Sequence, residues 1–367
     1  MLISKIVWAT SLALGVKASL DHCDGPRRDE HCPPDTAFAE ARSFNFATTS
    51  LEDARRLWSV DDTDQHGDEK GIAALGRDDK GILLAIKKQG EGTALSSNRY
   101  LLFGKTTVEV QGAPGPGLIT AIGLRSDTGN RILWEILGAN DHQVQTNYFY
   151  DDEPVYNTYN YTYPTQLPVT DQFHNYTIQW TDKTLAFSID GEHRKTMTLD
   201  EDLSAEIWPQ VPMHIFLRIW TVNGNDDPGR VAWAGGLPQW GHSPFAAYVR
   251  RVEIEDYAGY CKTIHNGPVT YDYDANLTGW EDIHVQGCQE TSSLDGTHEN
   301  HVPTKNVTDF LVPTKTSGDG SHSSLPSSTN GSAPPKSDDN EDGVVQIGPG
   351  RSRSYLVTLA ICLAFML

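Results

Sequence analysis

From about residue 20 to 265 the chain is a succession of short runs rich in Val, Ile, Thr, Tyr, Phe and Trp, separated by Gly, Asn, Asp and Pro. Examples are "RYLLFGKTTVEVQG", "GLITAIGLRS", "RILWEIL", "QVQTNYFY", "FHNYTIQWT", "TLAFSIDGEHRKTM", "MHIFLRIWTV" and "AAYVRRVEIED". No stretch carries the apolar period of a long helix, and only "SLEDARRLW" reads as one short helix, with Ser50 as its N-cap. Within "SIDGEHR", Asp-Gly stands between two strand-like runs, the strongest hairpin signal in the chain. Evenly spaced strands without alternating helices must cover their apolar faces with one another. The fold class expected is therefore all-β, a two-sheet sandwich or jelly roll.

Both ends read as export signals. "MLISKIVWATSLALGVKASLDH" places one Lys before a short apolar run and small residues before a cut after Ala18, so residues 1–18 read as a signal peptide. The thirteen apolar-tail residues from Tyr355 to Leu367 are too short to cross about 30 Å of hydrocarbon as a helix. Preceded by small residues near Asp342 and Gly343 and a polar spacer, residues 343–367 read as a glycosylphosphatidylinositol anchor signal, with a poor transmembrane tail as the competing reading. Residues 289–342 turn to Ser, Thr, Pro, Gly, Asn and Asp and read as a glycosylated stalk, because such a segment buries too little apolar area to offset its ordering entropy. That leaves residues 19–288 as one folded domain of an exported, surface-held protein.

Cysteine usage agrees. Cys362 lies in the tail that anchoring removes, leaving Cys23, Cys32, Cys261 and Cys288. Four cysteines in an oxidising compartment allow three connectivities; Cys23–Cys32 with Cys261–Cys288 is favoured, since each pair closes a short loop. No CxxC or HxxxH spacing marks a metal site, and nothing calls for a cofactor. Sequons at Asn160, Asn175, Asn276, Asn306 and Asn330 fit a secreted surface. A formal charge of −20 argues against nucleic acid or anionic lipid as partners and is compatible with an uncharged polymer.

One stretch bears on chemistry. In "NRILWEILGANDHQVQTNYF", residues 130–149, Arg131, Leu133 and Glu135 point to one face of a strand while Ile132, Trp134 and Ile136 point to the other. The first face presents a single carboxylate.

"LLFGKTTVEVQGAPGPGLITAIGLRSD", "QVQTNYF", "FHNYTIQWT", "SIDG" and "RVAWAGGLPQW", in that order, resemble the fungal Crh-type cell-wall transglycosylases of glycoside hydrolase family 16. The resemblance runs from about Cys23 to Cys288 and extends to the leader, stalk and anchor signal. It implies a concanavalin-like β-jelly roll with a cleft across one sheet, and enzymes that cut chitin or β-1,3-glucan and join the new end to another glucan. Their catalytic strand reads Asp-Glu-Ile-Asp-(Tyr/Trp)-Glu-Trp: nucleophile, helper Asp, then acid/base. On this sequence the block falls on Asn130 to Ile136. Glu135 keeps the acid/base position, Arg131 stands at the nucleophile and Leu133 at the helper.

Retaining transfer needs two carboxyl groups about 5–5.5 Å apart, and a guanidinium has no lone pair with which to attack. Arg131 is also expected to lower the pKa of Glu135 and to form an ion pair with it, joined by Arg218. Asp127 and Asp141 are the acids that could stand in as the base of an inverting reaction. The resemblance sets Gln145, Asn147, Trp220 and Trp233 along the sugar, whereas the residues alone favour the sandwich core for those tryptophans. His174 and His214 read as ordinary sheet residues. The leading expectation is a surface-anchored protein that binds β-glucan or chitin with lost or weak catalysis. An active glycosidase or transglycosylase using Glu135, and a purely structural wall glycoprotein, are the alternatives.

Overall fold

The computed structural model describes residues 33–60, 76–78, 80–155, 161–274, 277–291 and 300–305. All belong to the first of the chain's two compact units, Met1–Leu311; the second, Val312–Leu367, lies outside the described residues. So do the leader, most of the stalk, the anchor signal, Cys23, Cys32, Asn160, Asn276, Asn306 and Asn330.

Two eight-stranded antiparallel sheets form the body of the domain, as the strand spacing requires, and two three-stranded sheets hold the remaining described strands. In the first, neighbours run in the order Glu153–Pro154, Gln143–Tyr150, Arg131–Leu137, Leu118–Arg125, Met213–Thr221, Thr93–Leu101 and Trp58–Val60, with Tyr161–Pro164 also pairing with Gln143–Tyr150. In the second the order is Glu192–Thr198, Thr184–Ile189, His174–Trp180, Gly104–Gln111, Phe245–Asp256, Gly81–Ile86 and Gly76–Asp78, with Ala41–Asn45 also on Phe245–Asp256. Spatial neighbours such as Leu118–Arg125 and Met213–Thr221 are distant in sequence, because the chain passes repeatedly from one sheet to the other.

One such passage corrects the sequence reading. "RYLLFGKTTVEVQG" is not one run: its first residues end a strand of the first sheet, and Gly104–Gln111 opens one of the second. Phe103 takes a positive φ of 61° and is fully buried, so the chain turns there around an anchored ring. Other local signals hold. The helix spans Leu51–Leu57 and Ser50 caps it, its hydroxyl accepting from the Asp53 amide at 3.1 Å. The hairpin between Thr184–Ile189 and Glu192–Thr198 turns on Asp190 (φ 51°) and Gly191 (φ 81°), the paired positive values of a two-residue turn that matches strand twist.

Between the sheets lies one continuous apolar core. Ile132, Trp134 and Ile136 meet Tyr176, Ile178, Trp180 and Phe187 from the opposite sheet. The Trp134 indole N–H donates to the Thr177 carbonyl at 3.2 Å. Cys261 and Cys288 form a disulfide closing 27 residues, the second of the two bridges expected. Asn175, the described sequon, is half-buried on the second sheet beside the buried His174, whose Nδ1 lies 2.6 Å from Asp190.

A polar hub ties the domain's margins together. Fully buried Asp256 accepts from the amides of Ala39 (2.7 Å), Leu102 (3.2 Å) and Ala258 (2.9 Å) and from the Tyr271 hydroxyl (2.7 Å). Burial pushes its pKa up to about 7 against the pull of those donors. Asp256→Ala leaves several buried donors without an acceptor and is expected to cost about 3–5 kcal/mol in urea denaturation. A loss below about 1 kcal/mol would show that the donors find other partners.

Candidate functional site

The strand Arg131–Leu137 fixes the site because its two faces differ in kind. Ile132, Trp134 and Ile136 belong to the core, which turns Arg131, Leu133, Glu135 and Leu137 to the face away from it. Strand register then lines up transverse rows. Gln145, Glu135, Ala121, Arg218 and Ala94 form one; Asn147, Leu133, Gly123 and Phe216 form the next; Phe149, Arg131, Arg125 and His214 form the third.

Glu135 is 6% exposed, and its Oε2 accepts from the Asn147 amide at 3.0 Å. Burial raises its pKa, more than the Asn147 bond and the charges of Arg131 and Arg218 lower it. This reverses the expected direction: desolvation outweighs the guanidinium, and the carboxyl inclines to hold its proton. The expected Arg131–Glu135 ion pair is also absent. Arg131 Nη2 pairs with Asp152 at 3.2 Å, and its guanidinium stacks 4.2 Å from the Phe149 ring centre. Two positions on one face of a strand are about 13 Å apart along it when four residues separate them, while neighbours across strands are about 5 Å away. The nearer partner wins.

Leu133, at the helper position, is buried in a small cluster with Ala94 and Phe216, with Phe149 packed against it. Gly123 lies between Leu133 and Phe216 in the row and contributes no side chain, and a Cβ there would run into the Ile132 carbonyl. The place where the resemblance puts a second carboxylate is thus filled with hydrocarbon.

The acids considered as substitutes are engaged elsewhere. Asp127 lies in the turn before the strand, accepting from the Tyr100 hydroxyl at 2.8 Å with His214 Nδ1 4.0 Å away. Asp141 accepts from the Thr170 hydroxyl at 2.6 Å. The charged neighbours acting on Glu135 are Arg131 and Arg218. His214 shares the face of Arg218 and Trp220, whereas His174 faces inward.

Toward the other end of the face, Trp220 and Trp233 stack with ring centres 6.1 Å apart over Ile119, Leu137, Val222 and Ala234. Neither joins the main core. Trp233 ends the short helix Pro228–Trp233, which Asp227 caps through the Gly229 amide, and its indole N–H donates to Gln145 Oε1 at 2.8 Å. Gln145 in turn donates to Thr162 at 3.3 Å. Gln145, Asn147, Trp220, Trp233 and Glu135 therefore share one face, as the alignment of motifs implied. Sequence reading missed Arg125, Phe149, Phe216 and Asp152. The parity of "GLITAIGLR" places Arg125 on this face, but nothing local marks the other three. Among the described residues no three His, Cys, Asp or Glu side chains are grouped to hold a metal ion.

An all-β sandwich with a carboxyl group presented from one sheet toward stacked indoles defines the class of glycoside hydrolase family 16, whose family model matches residues 61–235. Crh-like protein 5 of Aspergillus fumigatus is 32% identical over 270 residues, covering 72% of this chain and 62% of its own. Congo red hypersensitive protein 1 of Saccharomyces cerevisiae is 29% identical over 263 residues, covering 71% and 47%. Among solved structures, the apo Crh5 transglycosylase superposes with a TM-score of 0.58 at 30% identity, over 69% of this chain and 97% of that one. The same transglycosylase in complex with NAG gives 0.56 at 29%, over 69% and 96%. The chain belongs to the fungal Crh-like cell-wall transglycosylase group of glycoside hydrolase family 16. It spans 62%, 49% and 64% of the lengths of three of the curated relatives it matches.

Because the Glu135 pKa is raised on folding, its contribution to stability is complete below the ordinary glutamate range near pH ~4.3 and is lost as pH rises through the folded value. Glu135→Gln is therefore expected to melt higher than the unmodified protein at neutral and alkaline pH, with the difference closing as the pH is lowered. Equal melting at every pH would show that Glu135 is not desolvated.

Proposed function

We propose that this protein is a surface-anchored, Crh-like pseudoenzyme that binds β-glucan or chitin chains of the fungal cell wall without turning them over. The observation that carries the reading is Arg131 at the nucleophile position, with its guanidinium held by Asp152 and Phe149. A covalent glycosyl intermediate requires a carboxylate there, and Glu135 is the one carboxylate that the strand presents on this face. Loss of a nucleophile costs several orders of magnitude in rate. The stacked Trp220–Trp233 pair with Gln145 and Asn147 gives flat apolar surface and fixed polar groups, the combination that sugar rings require.

In this reading residues 1–18 direct export, residues 289–342 hold the domain off the membrane and residues 343–367 direct attachment of the anchor. Gln145, Asn147, Trp220 and Trp233 bind the sugar. One observation favours the alternative of an active glycosidase: burial gives Glu135 the raised pKa that suits a general acid.

The test incubates the secreted protein with chitin or laminarin as donor and a fluorescent oligosaccharide acceptor, beside Glu135→Gln and the double variant Arg131→Glu/Leu133→Asp. The unmodified protein is expected to transfer nothing above background while the double variant gains transfer. Transfer by the unmodified protein that Glu135→Gln abolishes would overturn the pseudoenzyme reading. In the same preparation, Trp233→Ala is expected to weaken oligosaccharide binding about tenfold or more by calorimetry. Unchanged affinity in a folded variant would remove Trp233 from the binding surface.

A further inference from the structure

The outer face of the second sheet holds the sequon Asn175-Tyr176-Thr177, on the strand His174–Trp180. Burial alternates along that strand, so His174, Tyr176 and Ile178 point into the sandwich while Asn175 and Thr177 point outward. Asn175 stands directly opposite Glu109 on Gly104–Gln111. Arg250 donates to Glu109 at 2.8 Å and lays its guanidinium over the Phe173 ring, 3.7 Å from the ring centre. Phe173 and Asn175 therefore adjoin the same Glu109–Arg250 pair, and the half-buried Phe173 ring is fixed beside the asparagine.

This corner of the sheet has room. The neighbouring turn runs through Asp190 and Gly191; Asp190 accepts from the Asn175 amide at 2.8 Å, and a side chain built on Gly191 would meet only open space among the described residues. The Thr177 hydroxyl lies 2.8 Å from that of Thr107, and strands on both sides pair with the sequon's backbone. A sugar must then be joined to Asn175 before the sheet closes. Chain order allows this, because Phe245–Asp256, which lies beside Gly104–Gln111 and supplies Arg250, is made long after Asn175.

We propose that Asn175 carries an N-linked glycan whose first N-acetylglucosamine packs against Phe173 and meets Glu109 and Arg250 with its polar groups, becoming part of the folded surface of the second sheet. A pyranose ring carries hydroxyls around its rim and C–H groups on its faces, so it covers an aromatic ring without stranding a polar group. In the unfolded chain the same sugar stays in water, and the contact therefore favours the folded state. The outer faces of the two sheets point in opposite directions, so a glycan here leaves the face of Glu135 open. The inference goes beyond the carbohydrate-binding reading and shares with it only export of the chain.

The test uses the full protein secreted from a host that adds N-linked glycans. It is trimmed with an endoglycosidase that leaves one N-acetylglucosamine, and the peptide holding Asn175 is weighed by mass spectrometry; that peptide is expected to carry the single sugar. The trimmed and untrimmed proteins are expected to melt together, because the first sugar makes the contact, whereas Asn175→Gln melts about 2–4 °C lower. Phe173→Ala is expected to lower melting distinctly more in the glycosylated protein than in the Asn175→Gln background. If Asn175→Gln is not secreted, NMR of the trimmed protein gives the second readout: a sugar signal displaced by the Phe173 ring, which returns to the free-sugar position in Phe173→Ala. A bare Asn175 beside other occupied sequons overturns the inference and leaves export standing. Sugar at no sequon sinks both. An occupied Asn175 whose loss leaves melting unchanged, equal costs of Phe173→Ala in the two backgrounds, or no displaced sugar signal would show a glycan that does not touch the sheet, and each overturns the packing.

Discussion

The site depends on one buried ring. Trp134 fills the space between the sheets against Tyr163, Tyr176 and Phe187, and its N–H satisfies the Thr177 carbonyl of the opposite sheet. A shift of the strand by one residue would move that indole to the other face and expose the core. With Trp134 held, Arg131, Leu133 and Glu135 have no choice of direction. The same contact that stabilises the sandwich therefore decides which side chains face away from the core, whatever their chemistry.

This separation of scaffold from chemistry explains how the strand can carry Arg131 and Leu133 on its outer face and keep its place. At the helper position Leu133 gains burial against Ala94 and Phe216. At the nucleophile position Arg131 gains Asp152 and Phe149, and burial with the like charges of Arg125 and Arg218 pulls its proton affinity down while Asp152 and Glu135 oppose that. Both side chains are held by their neighbours, although the Nε of Arg131 is buried without a hydrogen-bond partner. The result is an apolar patch at Leu133 beside Arg131, next to Glu135, whose pKa burial raises.

Period and parity carried most of what was legible. The alternation in "RILWEIL" places Glu135 and Trp134 on opposite faces without any coordinates, and Ser50 and Asp190-Gly191 mark their own turn and cap by local hydrogen bonding and backbone preference. What failed was whatever depends on burial or on a distant strand. Asp152 could not be chosen over Glu135 as the partner of Arg131, because the choice is made across the strand pair at the turn after Tyr150. The direction of the Glu135 pKa is set by burial among residues distant in sequence, which outweighs the Asn147 bond and the nearby arginines. Trp220 and Trp233 read as core, since an indole packed over Ile119 and Val222 has the same local pattern whichever face it covers.

Net charge shows the same limit from another side. A total of −20 describes the envelope, and beyond a screening length of about 8 Å exposed charges act on one another weakly. Within a groove they act over distances shorter than that, through surroundings less polar than water. The charges that act on Glu135 are Arg131, on its own strand, and Arg218, two strands across, and burial outweighs both. An acidic protein can therefore hold several arginines around one buried carboxyl group, and the total charge says nothing of that arrangement.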